Sequence, residues 1–163
     1  MMLSKRMEKD LNEHLNKELY SAYLYLSMAS YFRTNNYNGM GSWMEAQAKE
    51  ELGHGMKFYG YLFDRGAAVS LKGLAAPSSS WKSLQHAFQD ALKHEQQITA
   101  GIHALVASAI KEADYATHQF LEWFVKEQVE EERSVEEILQ KFKLIGGAPA
   151  GLYMIDRELG ARE

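Results

Sequence analysis

A chain of 163 residues can bury a sizeable core as one domain, and 46% hydrophobic with 25% charged residues is the balance of an ordinary soluble globular protein. There is no cysteine, which excludes disulfides, cysteine-ligated zinc and iron–sulfur clusters, leaves histidine and carboxylates as metal ligands, and fits a cytoplasmic protein. The net charge of −4 without a basic cluster argues against nucleic acid, no apolar run is long enough to span a membrane, and the charged start MMLSKRMEKDLNEHL is not a signal peptide.

Only Pro77 and Pro149 interrupt the chain, so long helices are permitted. Ser4 can cap the first, with Glu8 and Asp10 near its positive end. Met7, Leu11, Ala22, Tyr25, Ala29 and Phe32 recur at helical spacing, and Glu18 falls on the same stripe. A second face, Tyr20, Leu24, Ser27 and Tyr31, is expected to meet another subunit rather than to widen the core. Thr34 to Gly39 reads as a turn. A second helix from about Gly41 to Arg65 places Met44, Ala48, Glu51, His54, Phe58 and Leu62 on its seam.

Gly66 to Ser80 reads as a structureless connection, long for a compact domain. Extended, it reaches about 50 Å, against roughly 37 Å for the preceding helix. It can therefore run the length of a bundle and start the third helix parallel to the second. That helix, from about Trp81 to Lys111, carries Leu84, Phe88, Ala91, Glu95, Ile98, Ile102 and Leu105 on its stripe. After a break at Glu112-Ala113-Asp114, a fourth runs to about Leu144 with Leu121, Phe124, Gln128, Glu131, Val135, Ile138 and Phe142. Gly146-Gly147 ends it, and Leu152, Ile155 and Leu159 mark a short fifth helix that must pack against something to be stable. The expected fold is all-α. One domain spans 1–163: a four-helix bundle over about 4–144 with a long crossover between the second and third helices, then a short C-terminal fifth helix at about 148–160.

Glu51 and His54, three apart, put a carboxylate and an imidazole on one helix face. Alone, this pair occurs by chance in many helices. Glu-rich runs usually mark a solvated face, a lone histidine is usually a hydrogen-bonded or surface residue, and Gln128 alone would be a bland partner. The set is different. Glu18 and Glu51 are 33 residues apart, as are Glu95 and Gln128, and each second member is followed three residues on by a further ligand, His54 or Glu131. Two helical hairpins docked about a pseudo-twofold would bring Glu18, Glu51, His54, Glu95 and Glu131 together at mid-bundle. Four carboxylates on apolar seams repel one another strongly unless cations intervene. A dinuclear metal site bridged by Glu51 resolves that conflict, and one histidine among several carboxylates suits iron or manganese better than copper.

The segments ELYSAYLYLSMASYF (Glu18–Phe32), KEELGHGMKF (Lys49–Phe58), KHEQQIT (Lys93–Thr99), QFLEWFVKEQVEEE (Gln119–Glu132) and GLYMIDRELG (Gly151–Gly160) carry a resemblance to non-haem ferritins of bacteria and archaea. It covers essentially the whole chain. The resemblance implies a ferroxidase centre with one iron at Glu18, Glu51 and His54 and a second at Glu51, Glu95 and Glu131, Gln128 being close by. Tyr25 matches the tyrosine beside that centre; its bland role is a core aromatic. Glu50, Glu127 and Glu130, with Glu131 shared, match a third iron position. Bacterioferritins place a haem-ligating methionine where Leu52 stands here, so no haem is expected. By resemblance, the chain oxidises Fe2+ with O2 and stores ferric oxyhydroxide inside a homo-oligomeric shell of 24 subunits. The rivals are a metal-free four-helix interaction module and a di-iron or di-manganese oxidoreductase without mineral storage. His14, His86, His94, His103 and His118 carry no motif; surface or supporting positions are their default.

Overall fold

The computed structural model describes residues 2–162, which form five helices: α1 (Lys5–Thr34), α2 (Asn38–Asp64), α3 (Leu84–Lys111), α4 (Tyr115–Ile145) and α5 (Pro149–Gly160). None is long and apolar enough to cross a membrane. Ser4 caps α1 by accepting from the Met7 N–H, and Asp114 caps α4 by accepting from the Thr117 N–H. Helix α1 stops where Asn36 enters the left-handed region at φ 66°, a conformation asparagine tolerates. Gly146 does the same for α4 at φ 58°.

Helix α2 begins at Asn38, three residues earlier than the Gly41 start read from sequence, and no side chain of its own caps it. The cap comes from the fifth helix instead: Asp156 Oδ1 accepts from the Met40 N–H at 2.9 Å. At Gly39 the two helices all but touch, since a Cβ there would lie 1.7 Å from the Asp156 carbonyl oxygen. Only glycine allows that approach. Ile155 and Leu159 complete the docking of α5 by entering the core.

Helix α3 starts at Leu84, capped by Ser83, so the crossover runs three residues beyond Ser80. It follows α1 from one end to the other. Near the start of α1, Asn12 Nδ2 donates to the Ala68 carbonyl and Asn16 Nδ2 to the Ser70 carbonyl, while the N–H groups of Ser70 and Lys72 donate back to the same two side chains. Two asparagines one turn apart thus satisfy an extended segment much as a neighbouring strand would. Farther along, Ser27 Oγ donates to the Ser78 carbonyl and Tyr31 Oη to that of Trp81. The crossover therefore delivers α3 parallel to α2, as its length predicted. It also covers much of the α1 face expected to meet another subunit: Leu24 is buried in the chain's own core, with Tyr20 and Tyr31 packed against it. Tyr23 and Leu26, not singled out by periodicity, are the exposed large apolar residues of α1.

Apolar side chains fill the bundle in two clusters. One, with Phe32, Met44, Phe88 and Phe142, lies at the α5 end; the other, with Leu11, Phe58, Ile102 and Phe124, lies at the far end. Between them sits a polar layer. Helix α1 packs closely on α3, whereas among the described residues no α2 Cα comes within 8 Å of an α4 Cα.

Candidate metal centre

The polar layer is where the seam carboxylates meet. Glu18, Glu51, Glu95 and Glu131 are each at most 4% exposed, contributed by α1, α2, α3 and α4. Donor atoms of Glu18, Glu51 and His54 lie within 4.8 Å of one another, as do those of Glu51, Glu95 and Glu131. Glu51 belongs to both groups. His54 presents Nδ1 inward, 3.2 Å from Glu51 Oε2 and 3.9 Å from Glu18 Oε2. Its Nε2 faces Glu127 Oε1 at 4.0 Å, and Glu127, His54 and Glu131 form a further group of possible ligands. The gap between α2 and α4 accommodates this group, with Trp123 and Phe124 edge-on to the imidazole.

Burial sets the electrostatics. It pushes Glu18 up to about 7 and Glu95 and Glu131 each up to about 8; Glu51 goes well above the carboxylate range. Neighbouring carboxylates add to this, Glu51 on Glu95 and Glu95 on Glu131. A cation reverses the balance by stabilising the charged forms. The structure offers an observation that fits one. Among the described residues, Glu18 Oε2 and Glu51 Oε1 are buried oxygens with no hydrogen-bond partner. A buried acceptor left unpaired is expensive; a divalent ion would satisfy both. Carboxylate oxygens with one imidazole nitrogen form a hard donor set suited to Fe2+ or Mn2+.

Supporting side chains hold the remaining oxygens. His14, buried beneath the Phe58 ring, has Nε2 2.9 Å from Glu18 Oε1. Burial, then Lys17 and His54, lower the His14 pKa to about 3, so its ring is neutral where it meets Glu18. Tyr25 donates its hydroxyl to Glu95 Oε1. Gln128 Nε2 donates to Glu95 Oε2 at 3.0 Å and approaches Thr99 Oγ1 at 3.2 Å, so it serves Glu95 as a donor. Gln47 Nε2 donates to Glu131 Oε2 at 2.5 Å.

The residues matched to a third metal position are not gathered in the same way. Glu50 is exposed and paired with Arg162 at 2.8 Å, and Glu130 is exposed and paired with Arg133. Only Glu127 joins a ligand group. Of the unassigned histidines, His14 supports the centre, while half-buried His94 lies 2.7 Å from Ser21 Oγ and against the Tyr20 and Tyr25 rings. His86 and His118 are half-buried and His103 is exposed. Sequence reasoning passed over His14, Gln47 and Arg162. His14 and Gln47 each sit four residues before a seam glutamate, on the same helical face, and that spacing could have found them. Nothing in the pattern marks Arg162.

The profile of the ferritin-like domain family matches residues 8–145. Bacterial non-heme ferritin of Staphylococcus aureus (strain USA300) is 40% identical over 161 residues, 99% of this chain and 97% of that one. Bacterial non-heme ferritin of Campylobacter jejuni is 43% identical over 156 residues, covering 96% and 93%. An open pore ferritin from the archaeon Archaeoglobus fulgidus superposes with a TM-score of 0.98 at 45% identity, over 99% of this chain and 98% of that one.

Proposed function

This chain belongs to the ferritin family, and on that premise we propose that it stores iron by oxidising Fe2+ at the mid-bundle centre and holding the ferric product as a mineral in a shell of 24 subunits. The observation that carries the reading is the pair of buried, partnerless oxygens on Glu18 and Glu51, two carboxylates that share a ligand group with His54 in a polar layer between two apolar clusters. Relatives named as non-heme ferritins support storage as the purpose of the site.

One Fe2+ sits on Glu18, Glu51 and His54 and a second on Glu51, Glu95 and Glu131, with Glu51 between them. Each ion gives one electron to O2, which with two protons leaves as hydrogen peroxide. Hydrolysis of the two Fe3+ to oxyhydroxide releases six protons, a net four. The chain's residues make this possible in specific ways. The carboxylates offset the metal charge, His14 and Gln47 each hold one carboxylate oxygen, and Tyr25 and Gln128 fix Glu95. Exposed Tyr23 and Leu26 on α1, Leu71 and Leu74 in the crossover and Tyr153 and Met154 on α5 are apolar surface that assembly would cover.

Adding excess Fe2+ in air followed by size exclusion tests the reading. Iron should co-elute with a particle of several hundred kilodaltons. A small species with rust precipitated outside it overturns storage, and oxidation of an added organic substrate without mineral favours a di-iron or di-manganese oxidoreductase. Replacing Glu51 or His54 by alanine should end rapid Fe2+ oxidation with helicity unchanged.

A further inference from the structure

Arg162 lies just past the end of α5, outside every helix. Its guanidinium nevertheless reaches the flank of the metal centre. Nη1 donates to Gln47 Oε1 at 2.8 Å, Nη2 donates to Glu50 Oε1 at 2.8 Å, and the guanidinium carbon stands 4.9 Å over the Trp43 ring. Gln47 is buried, 1% exposed, and its other end donates to Glu131.

A primary amide has two orientations of nearly equal shape, and which one forms depends on its neighbours. A guanidinium carries only donors, and a carboxylate kept ionised by a bound cation carries only acceptors. With Arg162 on one side and Glu131 on the other, Gln47 must present its oxygen to the arginine and its nitrogen to the glutamate. The reverse orientation sets donor against donor and acceptor against acceptor. The pair between Arg162 and exposed Glu50 could not impose this by itself, since such surface pairs contribute little. The buried amide, bonded at both ends, is what links the tail to the centre.

We propose that Arg162 is a positioning residue for the metal centre: it locks the Gln47 amide so that Gln47 occupies Glu131 Oε2 and leaves the other oxygen of Glu131 for the second metal ion. The α5 end of the chain thereby sets the affinity of a site that Arg162 reaches only through Gln47. The inference rests on Glu131 being a ligand of that second ion.

The test is Co2+ titration of the full-length assembled protein, followed by calorimetry and by the visible spectrum of the bound ion. Native protein, Arg162→Ala, Gln47→Leu, the double variant and Glu131→Gln are compared. Arg162→Ala should weaken the second site by roughly ten- to a hundredfold, the range for residues that orient a metal ligand. Gln47→Leu should do the same, and the double variant should lose no more, because one acts through the other. Methylguanidinium should restore Arg162→Ala but not Gln47→Leu, which a general loss of folding would not allow. Native second-site affinity in Arg162→Ala, or additive losses in the double variant, overturns the inference. If Glu131→Gln keeps the second site, the ligand assignment fails and the inference falls with it. If Glu131→Gln loses that site while Arg162→Ala keeps it, only the inference fails.

Discussion

In the α1–α2 hairpin, Glu18 and Glu51 each keep a buried oxygen without a partner, whereas in the α3–α4 hairpin both oxygens of Glu95 are hydrogen-bonded and Glu131 has one engaged by Gln47. The two hairpins share a 33-residue spacing yet prepare their ligands differently. The first half offers orphaned acceptors and an imidazole, a strong pull on a cation. The second half offers carboxylates already steadied by donors. A metal entering the first half relieves a penalty, while one entering the second meets oxygens that donors already satisfy and hold in place, so it has no such penalty to relieve. The first-half site should therefore fill first and bind more tightly.

Glu51 is the residue both halves share, so its loss should erase the difference. Glu51→Ala should slow initial Fe2+ oxidation by at least about a hundredfold, the upper end for mere supporting residues. Stopped-flow absorbance in air measures it, and oxidation within tenfold of the parent rate would mean that Glu51 bridges nothing. Next, His54→Ala and Gln128→Leu should separate the halves. The former should abolish the tight Co2+ equivalent, and the latter should retain it while weakening the second by about tenfold or more. Equal damage to both equivalents by both variants breaks the comparison.

The metal-free protein should also show the stored repulsion through pH. The seam carboxylates have raised folded pKa values, so their contribution is fully present below about 4.5 and is lost as pH rises through about 7 to 8. His14, held near 3, acts in the opposite sense, but only below its unfolded value of 6.5. Between pH 6.5 and 9 the carboxylates alone decide, and the melting temperature should fall by at least about 4 °C. Saturating Zn2+ should flatten this slope, because bound metal keeps the carboxylates charged throughout; a slope unchanged by Zn2+ speaks against metal at the layer. The smallest expected effect belongs to Tyr25→Phe. Losing one hydrogen bond to Glu95 should weaken the second Co2+ by about 1 kcal/mol, close to fivefold, and leave the first untouched.

Much of this was legible in the chain because charge on an apolar stripe is anomalous. Glu18, Glu51, Glu95, Gln128 and Glu131 stood out against Leu11, Phe58, Ile98 and Phe124 on the same seams. The crossover's direction followed from its length. Its path did not: Asn12 and Asn16 pin it to α1 through hydrogen bonds that leave no periodic trace, and so the Tyr20–Tyr31 face was assigned to a second subunit when the chain largely covers it itself. The early start of α2 was hidden for a similar reason, since its capping group is Asp156, 116 residues away.

Sequence by itself determined the helices, their order, the crossover and the residue types of the central layer, because periodicity and spacing are local properties of the chain. Tertiary structure alone decided which oxygens stay unpaired, that Gln128 turns a donor toward Glu95, that Glu50 and Glu130 take arginines, and that Arg162 reaches Gln47. Those outcomes depend on donors and acceptors from distant segments competing for the same buried atoms. The competition is resolved only when the helices are packed.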